Sequence, residues 1–135
     1  KRQADTILYL SAKNHTIYFV SSVLRKSILA KFAQKFKWGR EKIAEKLCHI
    51  LTFYGYGKAN LEKIDFEKES IITLKNSCIG TLYHNQEKPV CSYIAGLIAG
   101  AAVAITGEDY DCEEVECVGK GDKYCKFVVK KAKKA

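Results

Sequence analysis

The chain has 135 residues, 47% of them hydrophobic, so we expect one domain over residues 1–135 whose core forms without help from metals or disulfides. Its 23 basic and 15 acidic residues give a net charge of +8, which raises nucleic acid and anionic membrane surfaces as partners. No nucleic-acid motif accompanies this charge, and the basic residues are spread over helical segments and a C-terminal tail. We therefore predict solvated surfaces and no nucleic-acid partner.

The sequence begins at Lys1 without an initiator methionine or an apolar leader, so we expect a truncated native N-terminus and no secretory signal. Six cysteines in a small secreted protein would indicate a disulfide framework. Here long periodic apolar segments replace a loop-rich scaffold, which favours a reducing, cytoplasmic location and metal binding. Intracellular disulfides, as found in heat-loving organisms, are the alternative.

Three helices are predicted in the first half of the chain, over residues 5–13, 16–37 and 40–54. Asn14 is placed to end the first helix, and Gly39 interrupts the pattern before the third. Apolar residues recur at three- and four-residue steps along the second helix, which predicts a stripe that faces the core. The stripe consists of Ile17, Val20, Val23, Leu24, Ile28, Phe32 and Phe36.

The periodicity then changes from helical to extended. Residues 60–65 and 70–74 are short apolar runs joined by a charged connection, and they predict a β-hairpin. A loop over residues 76–88 follows. Pro89 is suited to the first turn of a helix, where its missing N–H costs nothing.

The least polar segment, residues 90–106, predicts a helix buried in protein. Its length and the spacing of Gly96 and Gly100 also fit a membrane-spanning helix with a packing motif. The flanking residues include no symmetrically placed interfacial anchors. We therefore favour a helix that lies flat against a sheet, where small residues allow close approach, and we expect no membrane span.

Residues 110–118 and 123–129 predict a second hairpin. Glu114 and Cys117 are an odd number of residues apart, so a regular strand would direct them to opposite faces of the sheet. A β-bulge, or the end of the strand near Cys117, would bring them to the same face.

Three cysteines and a glutamate in this region form the pattern C-x22-E-x2-C-x7-C, at Cys91, Glu114, Cys117 and Cys125. Zinc is borderline-soft and redox-inert and accepts both thiolate and carboxylate, so these residues predict a closed tetrahedral zinc site. A filled coordination shell predicts a structural role and no catalytic residues. The alternative is that these are ordinary buried cysteines.

The last third of the chain carries several short motifs in a fixed order. They are Pro89-Val90-Cys91, Ala95-Gly96-Leu97-Ile98-Ala99-Gly100, Glu114-Val115-Glu116-Cys117, Gly119, Gly121-Asp122 and Cys125-Lys126-Phe127. Together they resemble the 4-vinyl reductase domain family, named after a reductase of bacteriochlorophyll synthesis. The order of the preceding elements extends the resemblance over the whole chain. The lysine-rich, short chain is typical of an archaeal stand-alone member.

This resemblance implies an α+β fold in which a twisted antiparallel four-stranded sheet packs with helices in the order α-α-α-β-β-α-β-β. Such a fold is similar to transport-particle subunits of vesicle tethering and to haem gas-sensor domains. The family's phenol sensors hold zinc with a cysteine, a glutamate and two further cysteines, which implies the same roles for Cys91, Glu114, Cys117 and Cys125. The zinc would clip the 90–106 helix to the final hairpin.

The resemblance also implies a pocket for a small hydrophobic or aromatic ligand. Phenol sensors contact the hydroxyl group with a histidine and a tryptophan, but Trp38, His15, His49 and His84 do not match those positions. The candidate lining residues are Phe53, Tyr54, Tyr56, Tyr83 and Tyr93.

Three functions follow from these observations. The first is a zinc-stabilised module that binds a small ligand, as a homodimer formed through the long N-terminal helices. The second is a reductase or accessory protein for a vinyl-bearing tetrapyrrole-like substrate, and it ranks lower because no G-x-G-x-x-G or flavin signature supplies a hydride donor. The third is a protein-interaction scaffold, which rests on fold alone.

Overall fold

The computed structural model describes residues 2–133, with side chains from residue 3; part of the predicted lysine tail lies outside this range. The order of elements is three helices, two strands, one helix and two strands, which confirms the predicted α+β order. The helices are α1 (Arg2–Lys26), α2 (Ile28–Ala33), α3 (Lys37–Phe53) and α4 (Ser92–Thr106). The strands are β1 (Lys58–Lys63), β2 (Ser70–Lys75), β3 (Tyr110–Glu116) and β4 (Cys125–Lys131).

Helix α1 is continuous over 25 residues, so the predicted end at Asn14 is wrong. Asn14 is exposed, whereas Ala12, Thr16 and Val20 are buried along the opposite side of the helix. Packing of that side against α4 holds the helix together, because tertiary contacts outweigh a weak local stop signal.

The predicted core-facing stripe is correct only as far as Leu24. Ser27 interrupts the helix and caps α2, where its Oγ accepts a 3.2 Å hydrogen bond from the backbone N–H of Ala30. The chain changes direction at this cap, so the three- and four-residue spacing no longer follows one surface. Ile28 and Phe32 are consequently 85% and 62% exposed.

Gly39 lies inside α3 and does not break it, contrary to the prediction. A Cβ atom at this position would collide with the backbone of Ala33. The glycine therefore allows the end of α2 and the first turn of α3 to approach closely.

The four strands form one antiparallel sheet in the order β1-β2-β4-β3. Leu74 of β2 and Phe127 of β4 are almost completely buried on the face that packs with Ile94 and Ile98 of α4. This face of the sheet and α4 form the centre of the core.

Helix α4 is packed between α1 and the sheet. A Cβ atom on Gly96 would collide with the backbone carbonyl of Tyr9, and one on Gly100 with that of Lys13. The small residues therefore serve close contact with α1, and the prediction that they face the sheet is wrong. Across residues 2–133, no helix combines the length and the apolar character needed to cross a membrane.

Polar side chains also join α1 to β3. Lys13 is 8% exposed, and its Nζ lies 2.9 Å from Asp109 Oδ1 and 3.0 Å from Asp111 Oδ1. Burial lowers the pKa of Lys13, but the hydrogen bonds to the two aspartates outweigh this effect and raise it. The hydroxyl of Tyr9 donates to Asp111 and accepts the backbone N–H of Cys112, which fixes α1 along the strand.

Candidate metal centre and ligand cavity

A β-bulge in β3 brings Glu114 and Cys117 to the same face of the sheet. Glu114 pairs with Phe127 of β4, whereas Glu116 pairs with Lys126, so Val115 is the extra residue. The insertion changes the alternation of side chains beyond it. The predicted bulge is confirmed, and it removes the parity conflict between these two residues.

The four residues predicted from the spacing converge on one buried point. Candidate ligand atoms of Cys91, Glu114, Cys117 and Cys125 all lie within 4.8 Å of one another. Cys91 is the residue before α4, Cys117 follows β3, and Cys125 begins β4. The three cysteines are 0% exposed and Glu114 is 8% exposed. All six cysteines of the chain are free thiols.

The spacing of the sulfur atoms fits a tetrahedral zinc ion. Zn–S bonds of about 2.3 Å place two sulfur ligands about 3.8 Å apart. The Sγ atoms of Cys91 and Cys125 lie 3.8 Å apart. One oxygen of Glu114 accepts the backbone N–H of Cys91 at 2.9 Å, while its other oxygen, Oε1, is buried without a hydrogen-bond partner among the described residues. A buried carboxylate oxygen without a partner is costly, and a cation would satisfy it.

The acid–base properties of the thiols reflect their close packing. The hydrogen bond to Cys125, together with burial, raises the pKa of Cys91, and the same hydrogen bond lowers the pKa of Cys125. Cys91 therefore donates its proton toward a Cys125 thiolate. Burial, with a contribution from Glu114, raises the pKa of Cys117 to about 11. A divalent cation would take the place of these protons and favour all the thiolates.

Several groups around the four side chains were not predicted from the sequence. Ser77 is fully buried, and its Oγ lies 3.4 Å from Cys91 Sγ. The backbone N–H of Val118 donates to Cys125 Sγ at 3.5 Å, and Asp122 accepts the N–H of Cys117 at 2.8 Å. Such outer contacts orient ligands. The Gly121-Asp122 turn motif was visible in the sequence, but nothing marked Ser77.

A separate apolar cavity of about 360 Å³ lies between the helices and the sheet. Its walls come from α1, α3, α4 and three strands, through side chains such as Val20, Leu47, Ile72, Leu97 and Val129. It opens to solvent between α1 and α3, where the lining residues Phe19 and Ile50 are 54% and 43% exposed. Most of this aliphatic lining was not predicted, although residues 97, 101 and 105 of α4 have the spacing of one helix face.

Three of the five predicted pocket residues line this cavity, namely Tyr54, Tyr56 and Tyr93. Phe53 is 85% exposed and Tyr83 is 48% exposed, and the lining does not include either of them. His15 lines the cavity, whereas His49, His84 and Trp38 do not. Desolvation by burial raises the pKa of Tyr56, and its interaction with Tyr93 adds to this effect.

Residues 71–131 match the 4-vinyl reductase domain family. A curated relative, an uncharacterized protein of the archaeon Methanocaldococcus jannaschii, is 28% identical over 114 residues, which cover 84% of this chain and 62% of the relative. A second uncharacterized protein of that organism is 26% identical over 98 residues, or 73% of this chain and 54% of the relative. The chain thus spans less than two thirds of either relative.

Solved structures show the same fold. The phenol-responsive sensory domain of the transcription activator PoxR, with phenol, has a TM-score of 0.74 at 17% identity, over 95% of this chain and 64% of the other. A vinyl-4-reductase family protein of Methanocaldococcus jannaschii has a TM-score of 0.62 at 23% identity, over 93% and 68%. Subunit 3 of the trafficking protein particle complex of Naegleria fowleri, covalently bound to palmitic acid, has a TM-score of 0.71 at 18% identity, over 98% and 82%.

Proposed function

Residues 71–131 of this chain belong to the 4-vinyl reductase domain family, and on this premise we propose that the protein is a zinc-stabilised domain that binds a small hydrophobic or aromatic ligand. The observation that carries the proposal is the apolar cavity of about 360 Å³, which is separate from the metal centre. Ligand pockets in proteins range from about 300 to 1,000 Å³, so the cavity suits a molecule of one or two rings.

The lining of the cavity indicates an uncharged ligand. No lysine, arginine, aspartate or glutamate of the described chain lines it, although the protein carries a net charge of +8. A charged ligand would lose its hydration there without gaining a counter-ion. Thr16 and Ser70, both buried, offer hydroxyl groups in the wall that can hydrogen-bond one polar group of a ligand.

The likeness to a sensory domain solved with phenol supports this ligand class. A tetrapyrrole-like substrate is favoured less, because it carries carboxylates for which the described wall provides no cation. An interaction scaffold rests only on the fold that the chain shares with a trafficking subunit.

Zinc would be held by Cys91, Glu114, Cys117 and Cys125, and when bound it would supply a rigid cross-link between elements rather than a reaction centre. Cys91 precedes α4, and the other three residues come from the β3–β4 hairpin. Because α4 and β4 both contribute to the cavity wall, the cross-link would preserve the shape of the pocket. Thiolate ligands require reduced cysteines, which is why we propose a cytoplasmic location.

Calorimetry with phenol and benzoate tests the ligand proposal. Phenol should bind with a Kd below about 1 mM, while benzoate, which has a similar shape and a negative charge, should not bind detectably. Ala101→Phe places a ring in the cavity and should weaken phenol binding at least about tenfold. Ala4→Phe, the same change at an exposed position of α1, should leave binding unchanged. Equal affinities for phenol and benzoate would refute an uncharged-ligand pocket.

We also propose a homodimer that is formed through α1. The outer side of α1 exposes Ile7, Leu8 and Tyr18 by 66%, 47% and 74%. A neutral apolar face can pack against its own copy across a two-fold axis without placing like charges opposite one another. Light scattering should return twice the mass of the chain, and Tyr18→Glu should return one chain mass. A wild-type chain that stays monomeric at micromolar concentration would rule out this interface.

A further inference from the structure

We propose that the corner where α1, α2 and α3 meet binds the surface of a membrane that contains anionic lipids. This surface, which we call the basic apolar corner, combines exposed apolar side chains with exposed cations on one short stretch of the chain. Its residues are Arg25, Lys26, Ile28, Leu29, Lys31, Phe32, Lys35, Phe36 and Trp38.

The apolar side chains of the corner are unusually exposed. Ile28 and Leu29 are 85% and 82% exposed, and Phe32, Phe36 and Trp38 are 62%, 52% and 71% exposed. At about 200 Å² for a large side chain, these five residues present roughly 700 Å² of apolar surface. A typical monomer has no apolar patch larger than about 300–600 Å², so this corner has the size of an interaction surface.

These side chains are held outward by the fold. Helix α2 contains no buried residue, and on its inner side Gln34 Nε2 donates to the carbonyl oxygens of Ala104 and Ile105 at 3.0 and 3.2 Å. Arg40 Nε donates to the carbonyl oxygen of Gln34 at 2.7 Å. The rings of Phe32 and Phe36 contact each other at a centroid distance of 5.2 Å. The corner is thus anchored to the end of α4 and presents a continuous outer surface.

The charge around this surface identifies its partner. Residues 6–40 contain no aspartate or glutamate. Arg25, Lys26, Lys31 and Lys35 are exposed, and none of them forms a salt bridge with the described residues. Cations beside exposed aromatic and aliphatic side chains are the pattern of a segment that lies in the headgroup region of a bilayer.

Two other partners fit the corner less well. A second copy of the chain would place the same cations opposite one another, unlike the neutral outer side of α1. A nucleic acid would neutralise the cations but would leave Ile28 and Leu29 in water, because phosphate contacts offer no apolar environment. An anionic bilayer accepts both kinds of side chain. The protein would lie on this membrane rather than cross it.

Trp38 is the only tryptophan in the chain, so its fluorescence reports on the corner directly. The probe is a set of vesicles made of phosphatidylglycerol and phosphatidylcholine in equal parts. We expect these vesicles to shift Trp38 emission to shorter wavelengths and to sediment with the protein, with binding that weakens as salt is added. Vesicles of phosphatidylcholine alone should give neither effect. An unshifted emission with the anionic vesicles would overturn the proposal.

Paired variants separate the corner from general charge and hydrophobicity. Lys31→Gln with Lys35→Gln should weaken binding about 30-fold, because each cation near the surface contributes about a factor of five. Lys58→Gln with Lys75→Gln removes the same charge from exposed residues paired across β1 and β2 and should change binding less than twofold.

Leu29→Ser should also weaken binding strongly, whereas Leu82→Ser, at a residue 77% exposed elsewhere, should not. Equal losses in the corner and control variants would overturn the proposal. A concentration-dependent shift of Trp38 without vesicles would assign the corner to a second copy. Binding of a DNA duplex in place of vesicles would assign it to nucleic acid.

Discussion

Cys117→Ser should reduce bound zinc from one ion per chain to well below one and should lower the free energy of unfolding by more than about 4 kcal/mol. Cys117 is 0% exposed and lies with three other candidate ligands within a 4.8 Å cluster. Removing one thiolate leaves an incomplete tetrahedral shell, and the cross-link between α4 and the β3–β4 hairpin is lost. Metal analysis and thermal unfolding of the same preparation measure both effects.

Cys78→Ser is the matched control for this change. Cys78 is a free, exposed thiol outside the cluster, so zinc content and unfolding temperature should stay at their wild-type values. If Cys117→Ser kept one zinc per chain, or lost zinc without any loss of stability, Cys117 would not be a structural ligand.

Gly100→Val should destabilise the protein by about 3 kcal/mol or more, although valine is a better helix former than glycine. The change gains less than about 1 kcal/mol from helix propensity. Against this gain, a Cβ atom at residue 100 would collide with the backbone carbonyl of Lys13 and lie 2.8 Å from Thr16 Cβ. Backbone cannot yield as a flexible side chain can, so α1 must move away from α4.

Ala101→Val is the comparison for this prediction, because residue 101 of the same helix lines the cavity. Two extra methyl groups fit into that space, so the change in stability should stay within about 1 kcal/mol. Chemical denaturation measures both variants. Similar, small effects of the two changes would show that α1 and α4 tolerate a wider separation. Displacement of α1 should also weaken phenol binding, since Thr16 and Val20 belong to the cavity wall.

The ligand set of the metal centre was predictable because its information is local and chemical. Thiolates and a carboxylate are rare together in a core, and the odd step from Glu114 to Cys117 required an irregular strand, which the bulge at Val115 provides. The sequence did not reveal Ser77, because a serine between two loops carries no chemical signal until the fold brings it to Cys91.

The helical half was less predictable, because its boundaries depend on partners that are distant in the chain. Asn14 has the appearance of a helix end, yet the contact of α1 with Gly96 and Gly100 extends the helix through it. Conversely, the regular spacing of Ile28 and Phe32 predicted a core that the turn at Ser27 directs outward. Periodicity identifies an apolar face but does not show what that face contacts.

The cavity shows the same limit. Aromatic character correctly indicated Tyr54, Tyr56 and Tyr93, but it did not separate them from Phe53, which is exposed. The aliphatic side chains that form most of the wall come from six elements, and only the assembled fold brings them around one space. Size and absence of charge, the properties that define the ligand, are therefore properties of the structure.

Native mass spectrometry of the purified chain tests the metal-clipped pocket most directly. We expect a folded species that carries one zinc per chain, and removal of the metal by a chelator should lower both the unfolding temperature and the affinity for phenol. A folded chain at its bare mass, with stability and phenol affinity unaffected by chelator, would contradict a structural zinc at Cys91, Glu114, Cys117 and Cys125.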